Sequence, residues 1–389
     1  MSDNYHQAVM GGTGANHIMM GTGDAIWFSD GKGNALAPPE NVTVAKGSPN
    51  AGVVNEIENP NPQAGTNNWY TEDGYGGGSY GSPSYGGGSY TECSDTTQPG
   101  VLPITSYLSA LSTPISPNCD AGHYYILNNY NPGYYGNGSN AYNDIDDPAE
   151  TVFTIPPSSV RNIGDALNES SISWAYYGDQ WNPYVKNPDL NYVVAWNTYC
   201  NICNFFQYST SIMKSASSRA KLQDTTELYS AIKNGTLPAV SFVKPDGWLD
   251  GHPASSKLIL LEGFIKRIVD DVQANPDLWN STAIFVTMDE GGGYYDSGYV
   301  QPLDYFGDGT RIPLIAVSPY TKAGHISHQY NDHVSILKFI EANWGLSPLT
   351  SRSRDNFPNP VTTSSNSYVP TNSPAIGDLM DLFDFSARK

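Results

Sequence analysis

Residues 283–292 read Ala-Ile-Phe-Val-Thr-Met-Asp-Glu-Gly-Gly, an apolar and β-branched run that ends in two carboxylates and a glycine turn. An uninterrupted apolar run of this length is typical of a strand buried at the centre of a parallel sheet. Ligands of such sheets bind beyond the carboxyl ends of the strands. The sequence therefore predicts a buried central strand over residues 283–287, which delivers Asp289 and Glu290 to a binding site.

Strand-like and helix-like segments alternate on both sides of this run. Residues 239–243 are strand-like, and residues 256–273 predict a helix with an apolar face formed by Leu258, Leu261, Ile265, Ile268 and Val272. Another strand is predicted over residues 312–317, and Asp332 can cap the helix that follows it. This alternation indicates an α/β fold of three α/β/α layers, with a mostly parallel central sheet.

The segment from residue 30 to residue 150 departs from this alternation, because it is rich in Gly, Pro, Asn and Tyr. It is predicted to be a long, loop-rich insertion within the domain. Its clustered tyrosines either line a ligand surface or, more commonly, pack over the domain: Tyr124, Tyr125, Tyr130, Tyr134 and Tyr135. Residues 356–389 are rich in Ser, Asn and Pro, and we predict an extended surface tail there.

The charge balance narrows the range of partners. The chain has 19 basic and 38 acidic residues, a formal net charge of -19. Nucleic-acid binding depends on basic patches that neutralise phosphates, and the sequence has no such run. An acidic protein can still bind a phosphate ester if a metal cation supplies positive charge locally. No apolar run approaches the roughly 20 residues of a transmembrane helix, so no membrane span is predicted.

Asp289 and Glu290 are the first candidate site residues. Hard divalent cations prefer carboxylate oxygens, and the glycines that follow let a substrate approach the backbone closely. The alternative is an ordinary turn with solvated acids.

Thr13 is the second candidate, within Gly11-Gly12-Thr13-Gly14-Ala15-Asn16-His17. A hydroxyl at a helix start lies in the positive end of the helix dipole, where phosphate binds. Metal coordination would lower its pKa and make it a nucleophile. A threonine at a helix start is also common without any function.

Histidines supply two further candidates. His252 lies in Asp250-Gly251-His252-Pro253, just after a predicted strand, where it could bind metal or protonate a leaving oxygen. A lone loop histidine is more often structural. His328 and His333 flank Asp332, and helix capping is a competing explanation for that cluster.

The four cysteines are Cys93, Cys119, Cys200 and Cys203. The CxxC spacing of Cys200 and Cys203 raises zinc or redox chemistry, but no second pair with suitable spacing follows. Structural disulfides are preferred, with Cys93–Cys119 and Cys200–Cys203 as the favoured pairs, and they would imply an oxidising compartment.

Taken together, these motifs resemble one family. The chain is similar to the bacterial phosphoesterase family of phosphatidylcholine-type phospholipases C and metal-dependent, respiratory-burst-inhibiting acid phosphatases, which belongs to the alkaline-phosphatase superfamily. The resemblance runs from residue 1 to about 355 and rests on Ser2–His6, Gly12–Asn16, Ile172–Gly178, Asp250–Pro253, Thr287–Gly292 and Asp332–Glu341, in the family's order. It implies a phosphoesterase catalytic domain over residues 1–355.

The resemblance also implies roles for individual residues. Thr13 takes the nucleophile position and contributes to a divalent-metal site with Asp289 and Glu290. His252 lies beside the phosphate, and Asn16 matches a polar position near the nucleophile.

The chain departs from the family's pattern at several positions. Relatives often carry histidine where Gly291 stands, and Asp-His where this chain has Asp296-Ser297. The family opens with a strand that ends in a Glu-Asn-Arg-Ser-Phe-type motif, whose Glu and Asn complete the metal site. That motif is absent here, so we expect an N-terminal truncation, and we expect the parent protein to be periplasmic or secreted.

The prediction is hydrolysis of phosphate esters through a metal-activated threonine. A phosphate monoester and a phospholipid both stay open as substrates, as do the metal's identity and the oligomeric state. The alternative is a truncated, catalytically weak or inactive domain that binds a surface ligand.

Overall fold

The computed structural model of the chain describes residues 1–9, 12–24, 132–141, 157–186, 198–253, 255–292, 296–301, 303–304, 307–351 and 353–386. The strands in these ranges form three small sheets, of which two are parallel and one is antiparallel. The predicted mixed α/β fold with parallel strand pairing is therefore confirmed.

The first sheet is built around a strand of large apolar residues. Trp174–Gly178 (β2) is buried along its whole length, because it has a parallel neighbour on each edge. The neighbours are Leu222–Gln223 (β3) and Val240–Lys244 (β4). The predicted strand over residues 239–243 corresponds to β4.

The second sheet contains the strand that was predicted over residues 283–287. Ile284–Thr287 (β5) pairs antiparallel with Leu314–Val317 (β6). All four residues of β5 are only half-buried. The prediction of a buried strand with parallel neighbours is therefore wrong for the described part of the chain. The reason is that, among the described strands, only β6 pairs with β5, which leaves its second edge uncovered.

The third sheet joins the first residues of the chain to a segment near residue 331. Tyr5–His6 (β1) pairs in parallel with Asn331–Asp332 (β7), so the segment that leads to Thr13 lies beside the segment that leads to the last long helix. Isolated bridges from Ser2 to Leu314 and from His6 to Arg311 attach the same segment to β6 and to the loop before it.

The described helices have local stop and start signals. Asn162 with Asp165, and Asp224 with Glu227, form capping boxes in which each side chain bonds the other residue's backbone N–H. The predicted helix over residues 256–273 begins at Leu258. The bounds are Thr13–Thr22 (α1), Ile163–Glu169 (α2), Trp181–Lys186 (α3), Thr210–Met213 (α4), Ala216–Arg219 (α5), Thr225–Asn234 (α6), Leu258–Gln273 (α7), Pro276–Trp279 (α8) and Val334–Trp344 (α9), with 3₁₀ turns at Phe205–Tyr208, Arg354–Asn356 and Met380–Leu382.

The main core lies between α1, α2, α9 and β2. Its members include Met19, Ile163, Leu167, Trp174 and Leu337. Another hydrophobic cluster lies beside β2. Val243 of β4 and Ile284 of β5 both pack against it, although their strands do not pair. Across the described residues, no helix is both long and apolar enough to cross a bilayer.

The C-terminal segment differs from the prediction of an extended surface tail. Residues 359–368 are largely exposed, but Ala375, Ile376, Leu379 and Phe383 are buried. Leu379 and Phe383 pack against Tyr5 and Leu314 in a second core cluster. Apolar side chains spaced through a Ser- and Pro-rich sequence thus attach the tail to the core.

Several predictions fall in or near the long insertion. Only residues 132–141 of the 30–150 segment are described, and Tyr134 and Tyr135 are buried there, as expected for tyrosines that pack over the domain. Tyr124, Tyr125 and Tyr130 lie outside the described residues, as do Cys93 and Cys119. The predicted Cys200–Cys203 disulfide is present.

Candidate active site

Thr13 is the first residue of α1, as the sequence predicts. Gly12 precedes it in extended conformation and forms the helix N-cap. The Thr13 hydroxyl donates to Glu290 Oε1 across 3.4 Å, a long hydrogen bond between residues 277 positions apart. The structure therefore brings together the hydroxyl and the carboxylate pair that the sequence singled out.

Asp289 and Glu290 follow β5 after one intervening residue, Met288, at the carboxyl end of the strand. Burial acts to raise the pKa of the Asp289 carboxyl, but nearby His17 and Lys244 and a hydrogen bond from Thr13 outweigh it. The pKa of Asp289 therefore lies below its ordinary value, and the group is an anion at neutral pH. Two carboxylates and one hydroxyl face each other at the start of a helix.

His17 is a site residue that the sequence analysis missed. It lies one helical turn after Thr13, and its Nδ1–H donates to the Thr13 carbonyl across 2.8 Å. That bond places the proton on Nδ1 and leaves Nε2 as an acceptor. Burial lowers the pKa of His17 to about 4, so the ring is neutral at neutral pH. The signal was available, since residues four apart share a helix face.

Asn16 acts on the backbone around Thr13. Its Oδ1 accepts from the Val9 N–H at 3.1 Å, and its Nδ2 donates to the Gly12 carbonyl at 3.2 Å. Both ends of the buried amide therefore hold the turn that precedes the helix. Asn16 therefore supports the backbone that leads into Thr13.

The loop of His252 is connected to the site through β4. Lys244, the last residue of β4, forms an ion pair of 3.2 Å with Asp250, and Asp250 accepts from the His252 N–H at 2.9 Å. Lys244 is also close enough to Asp289 and His17 to lower the pKa of each. His252 itself is exposed. The structure thus places His252 on a surface loop that follows β4.

The side chains of His328, Asp332 and His333 bond different parts of the structure. Asp332 Oδ1 accepts from the first N–H of α9 at 2.8 Å, so the predicted capping is confirmed. His328 bonds Asp3 at 2.8 Å on the partly exposed side. His333 turns inward and contacts the backbone of Ala8 and Met288, next to the candidate site.

Asp296 stands where the family's Asp-His pair is expected. Arg311 binds it through Nε at 3.0 Å and Nη2 at 2.6 Å, and these bonds hold the pKa of the Asp296 carboxyl well below its usual range. Asp296 therefore fixes the loop that returns to β6.

The donor set fits a hard divalent cation in type but is short in number. Asp289, Glu290 and Thr13 offer oxygen atoms, the ligands that such cations prefer. Among the described residues, no three His, Cys, Asp or Glu side chains are grouped closely enough to hold a metal. Further ligands would have to come from water, from the substrate or from another segment.

Comparison with known proteins identifies the family of this chain. A model of the Phosphoesterase family matches residues 1–347. The non-hemolytic phospholipase C of Burkholderia pseudomallei (strain K96243) is 25% identical over 319 residues, which cover 69% of this chain and 42% of that protein. The hemolytic phospholipase C of Pseudomonas aeruginosa is 27% identical over 241 residues, 56% of this chain and 30% of that protein.

An acid phosphatase is also similar. The phosphate-repressible acid phosphatase of Penicillium chrysogenum is 25% identical over 194 residues, 50% of this chain and 44% of that protein. The chain therefore spans less than half the length of these curated relatives. Because the family model covers most of the sequence, the chain belongs to the phosphoesterase family.

Proposed function

We propose that this chain hydrolyses phosphate esters, with Thr13 as the nucleophile. The observation that carries the proposal is the bond from the Thr13 hydroxyl, at the start of α1, to Glu290. A helix N-terminus favours a bound phosphate, and an adjacent carboxylate can take the hydroxyl proton.

The reaction has two displacements. Thr13 Oγ1 attacks phosphorus and gives its proton to Glu290, while the bond to the ester oxygen breaks and the alcohol leaves with a proton from His252. Water then attacks the phosphothreonine and gives a proton to His252, while the bond from phosphorus to the threonine oxygen breaks and Glu290 returns its proton to that oxygen, which releases phosphate and restores the threonine hydroxyl. Each displacement inverts the configuration at phosphorus, so the net result is retention.

Asp289, Glu290 and Thr13 would hold a divalent cation, which would add positive charge near the phosphate in this acidic protein. Asp289→Asn replaces a charged ligand by a neutral one, and we expect weaker Mn²⁺ binding in calorimetry. Asp277→Asn, on α8, is the matched control. Equal affinities for the two variants would contradict this ligand assignment.

The substrate class follows from the relatives. Their names include phospholipases C and an acid phosphatase, so we propose a phosphate monoester or a phospholipid as the substrate. Parallel assays with p-nitrophenyl phosphate and phosphatidylcholine separate the two. We also propose export to the periplasm or the medium, because disulfides such as Cys200–Cys203 persist in oxidising compartments. Finding the protein only in the cytosolic fraction would contradict export.

We further propose that an additional strand pairs with β4 and β5. Each of these strands has one described neighbour, and both lie over the same cluster of Leu228, Ile232 and Val272. Their carboxyl ends carry Lys244 and the Asp289–Glu290 pair, so a strand between them would end at the site. A form of the protein with an N-terminal extension that supplies this strand should hydrolyse p-nitrophenyl phosphate far faster than residues 1–389 alone. Equal specific activities would contradict this proposal.

The nucleophile assignment is tested by Thr13→Val, which keeps the shape of the side chain and removes the hydroxyl. We expect turnover to fall by orders of magnitude while the protein stays folded. Thr22→Val is the matched control, because it removes a buried hydroxyl from the other end of α1. Similar turnover in Thr13→Val and Thr22→Val would overturn the assignment.

A further inference from the structure

Segment 7–9 leads into Thr13, and the side chain of Gln7 connects it to the carboxylate turn. Gln7 Nε2 donates to the Val9 carbonyl at 2.7 Å, and Gln7 Oε1 accepts from the Gly291 N–H at 2.7 Å. The amide is buried, and a Cβ added to Gly309 would lie 2.1 Å from Gln7 Cγ. Glycine at position 309 therefore leaves the space that this side chain fills.

His333 makes a second connection, at the other end of the turn. Its Nδ1 lies 3.2 Å from the Ala8 backbone nitrogen, and its Nε2 lies 2.9 Å from the Met288 carbonyl. An N–H can only donate and a carbonyl can only accept, so Nδ1 is the acceptor and Nε2 carries the proton. The neutral ring with this tautomer satisfies both backbone groups.

The two connections enclose the carboxylate pair. Met288 immediately precedes Asp289, and Gly291 immediately follows Glu290. The end of this four-residue turn at Gly291 is therefore bonded directly to Gln7, and the end at Met288 is connected to Ala8 through His333. Asn16 completes the path, because it bonds Val9 and Gly12 from within α1.

We propose that Gln7 and His333 are positioning residues that fix the carboxylate pair relative to the Thr13 hydroxyl. This role rests on the proposed function. Neither side chain needs to touch the substrate; each holds backbone groups beside the reacting residues. A misplacement of about 1 Å at a catalytic group can cost about 100-fold in rate. Loss of either connection therefore lowers turnover more than it lowers substrate binding.

The test uses the full chain with its wild-type residues elsewhere. Gln7→Met and His333→Phe remove the connections, and Gln301→Met is the control, because Gln301 is also buried and makes two backbone bonds, both to Ala375. We expect kcat to fall about 10- to 100-fold in the first two variants, with KM changed less than about 2-fold. The control should lose stability and keep kcat. His333→Asn, which retains an acceptor near Nδ1, should recover part of the loss.

Hydrogen exchange gives a readout that does not require activity. The Gly291 amide should exchange faster in Gln7→Met, and the Ala8 amide faster in His333→Phe, with neither changed in the control. If the wild type hydrolyses no phosphate ester, the proposed function fails, and exchange alone then decides whether the connections hold the turn. Wild-type kcat in both variants, or unchanged exchange at both amides, would overturn the positioning role.

Discussion

The two sides of the candidate site are built differently. On the side of Thr13, the packed side, β1, α1, β7 and the first turns of α9 are buried almost completely, and Arg354 is buried beneath them. On the carboxylate side, β5 is half-buried, and Leu258, Ile259 and Leu260 at the start of α7 are exposed. The elements that carry Thr13 are therefore more completely buried than the strand that carries Asp289 and Glu290.

This difference in burial indicates that the packed side contributes more to the stability of the fold. A fully packed element loses both transfer energy and packing contacts when a side chain is truncated, whereas a half-covered element loses little. The hydrogen bonds of Gln7 and His333 connect the packed side to the carboxylate side. The carboxylate pair is thus held by the packed side as well as by its own sheet.

The largest expected effect is at Arg354, on the packed side. Its fully buried guanidinium contacts Asp304 at 2.6 Å, Asp332 at 3.0 Å and Asp308 at 3.8 Å, and it also donates to the Ala8 carbonyl. Burial, followed by the charge of Asp332, raises the pKa of Asp308. Arg354→Met removes the cation and leaves three buried acids, so we expect a loss of about 3–5 kcal/mol or failure to fold.

Arg267→Met is the control, because Arg267 and Asp271 form an exposed pair with a separation of 3.8 Å. Exposed pairs contribute about 0–1 kcal/mol. Urea denaturation measures both variants. A cost of less than about 1 kcal/mol for Arg354→Met would show that the packed side does not depend on this cluster.

The next effect compares one substitution on the two sides. Leu337, on α9, is fully buried, and Leu258, on α7, is 60% exposed. Leu337→Ala should cost about 2–5 kcal/mol, and Leu258→Ala should stay within about 0.5 kcal/mol. Thermal unfolding of the two variants measures the difference. Equal costs would mean that α7 is covered in solution, and the comparison of the two sides would fail.

The sequence predicts the local parts of this picture well. Thr13 opens a helix, Asp289 and Glu290 follow a strand, and Asp332 caps α9, because each depends on near neighbours in the sequence. The half-buried, antiparallel state of β5 was not predictable, because it depends on which strands pair with it. The tail over residues 356–389 was predicted to lie on the surface, because the contacts of Leu379 and Phe383 with Tyr5 and Leu314 join segments that are far apart in the sequence. Gln7 carries no local signal for the same reason, and His333 stood out only as a neighbour of Asp332.

The last effect on stability depends on pH and is expected at Glu341 of α9. Burial, followed by the nearby Asp355, raises the pKa of Glu341 to about 10 from an ordinary value of 4.5. A raised pKa means that the folded state holds this proton more tightly than the unfolded state. Its stability contribution is complete below pH 4.5 and is lost as the pH rises towards about 10.

Glu341→Gln cannot ionise, so its stability relative to the wild type should increase with pH above 4.5. The gain is at most about 1.4 kcal/mol per pH unit. Unfolding measured at about pH 5 and about pH 8 checks the sign. Asp277→Asn, on the exposed helix α8, is the control and should show no such trend. A stability gain that shrinks with rising pH would contradict the proton held by Glu341.

The central claim is that Thr13, held on the packed side next to the carboxylate pair, attacks phosphorus and forms a covalent phosphothreonine. The most direct measurement is an acid quench during turnover of radiolabelled p-nitrophenyl phosphate, followed by digestion and mass spectrometry. The account predicts a phosphorylated peptide with the label on Thr13, and no label in Thr13→Val. Rapid turnover in which no labelled protein is trapped, or a label on another residue, would contradict it.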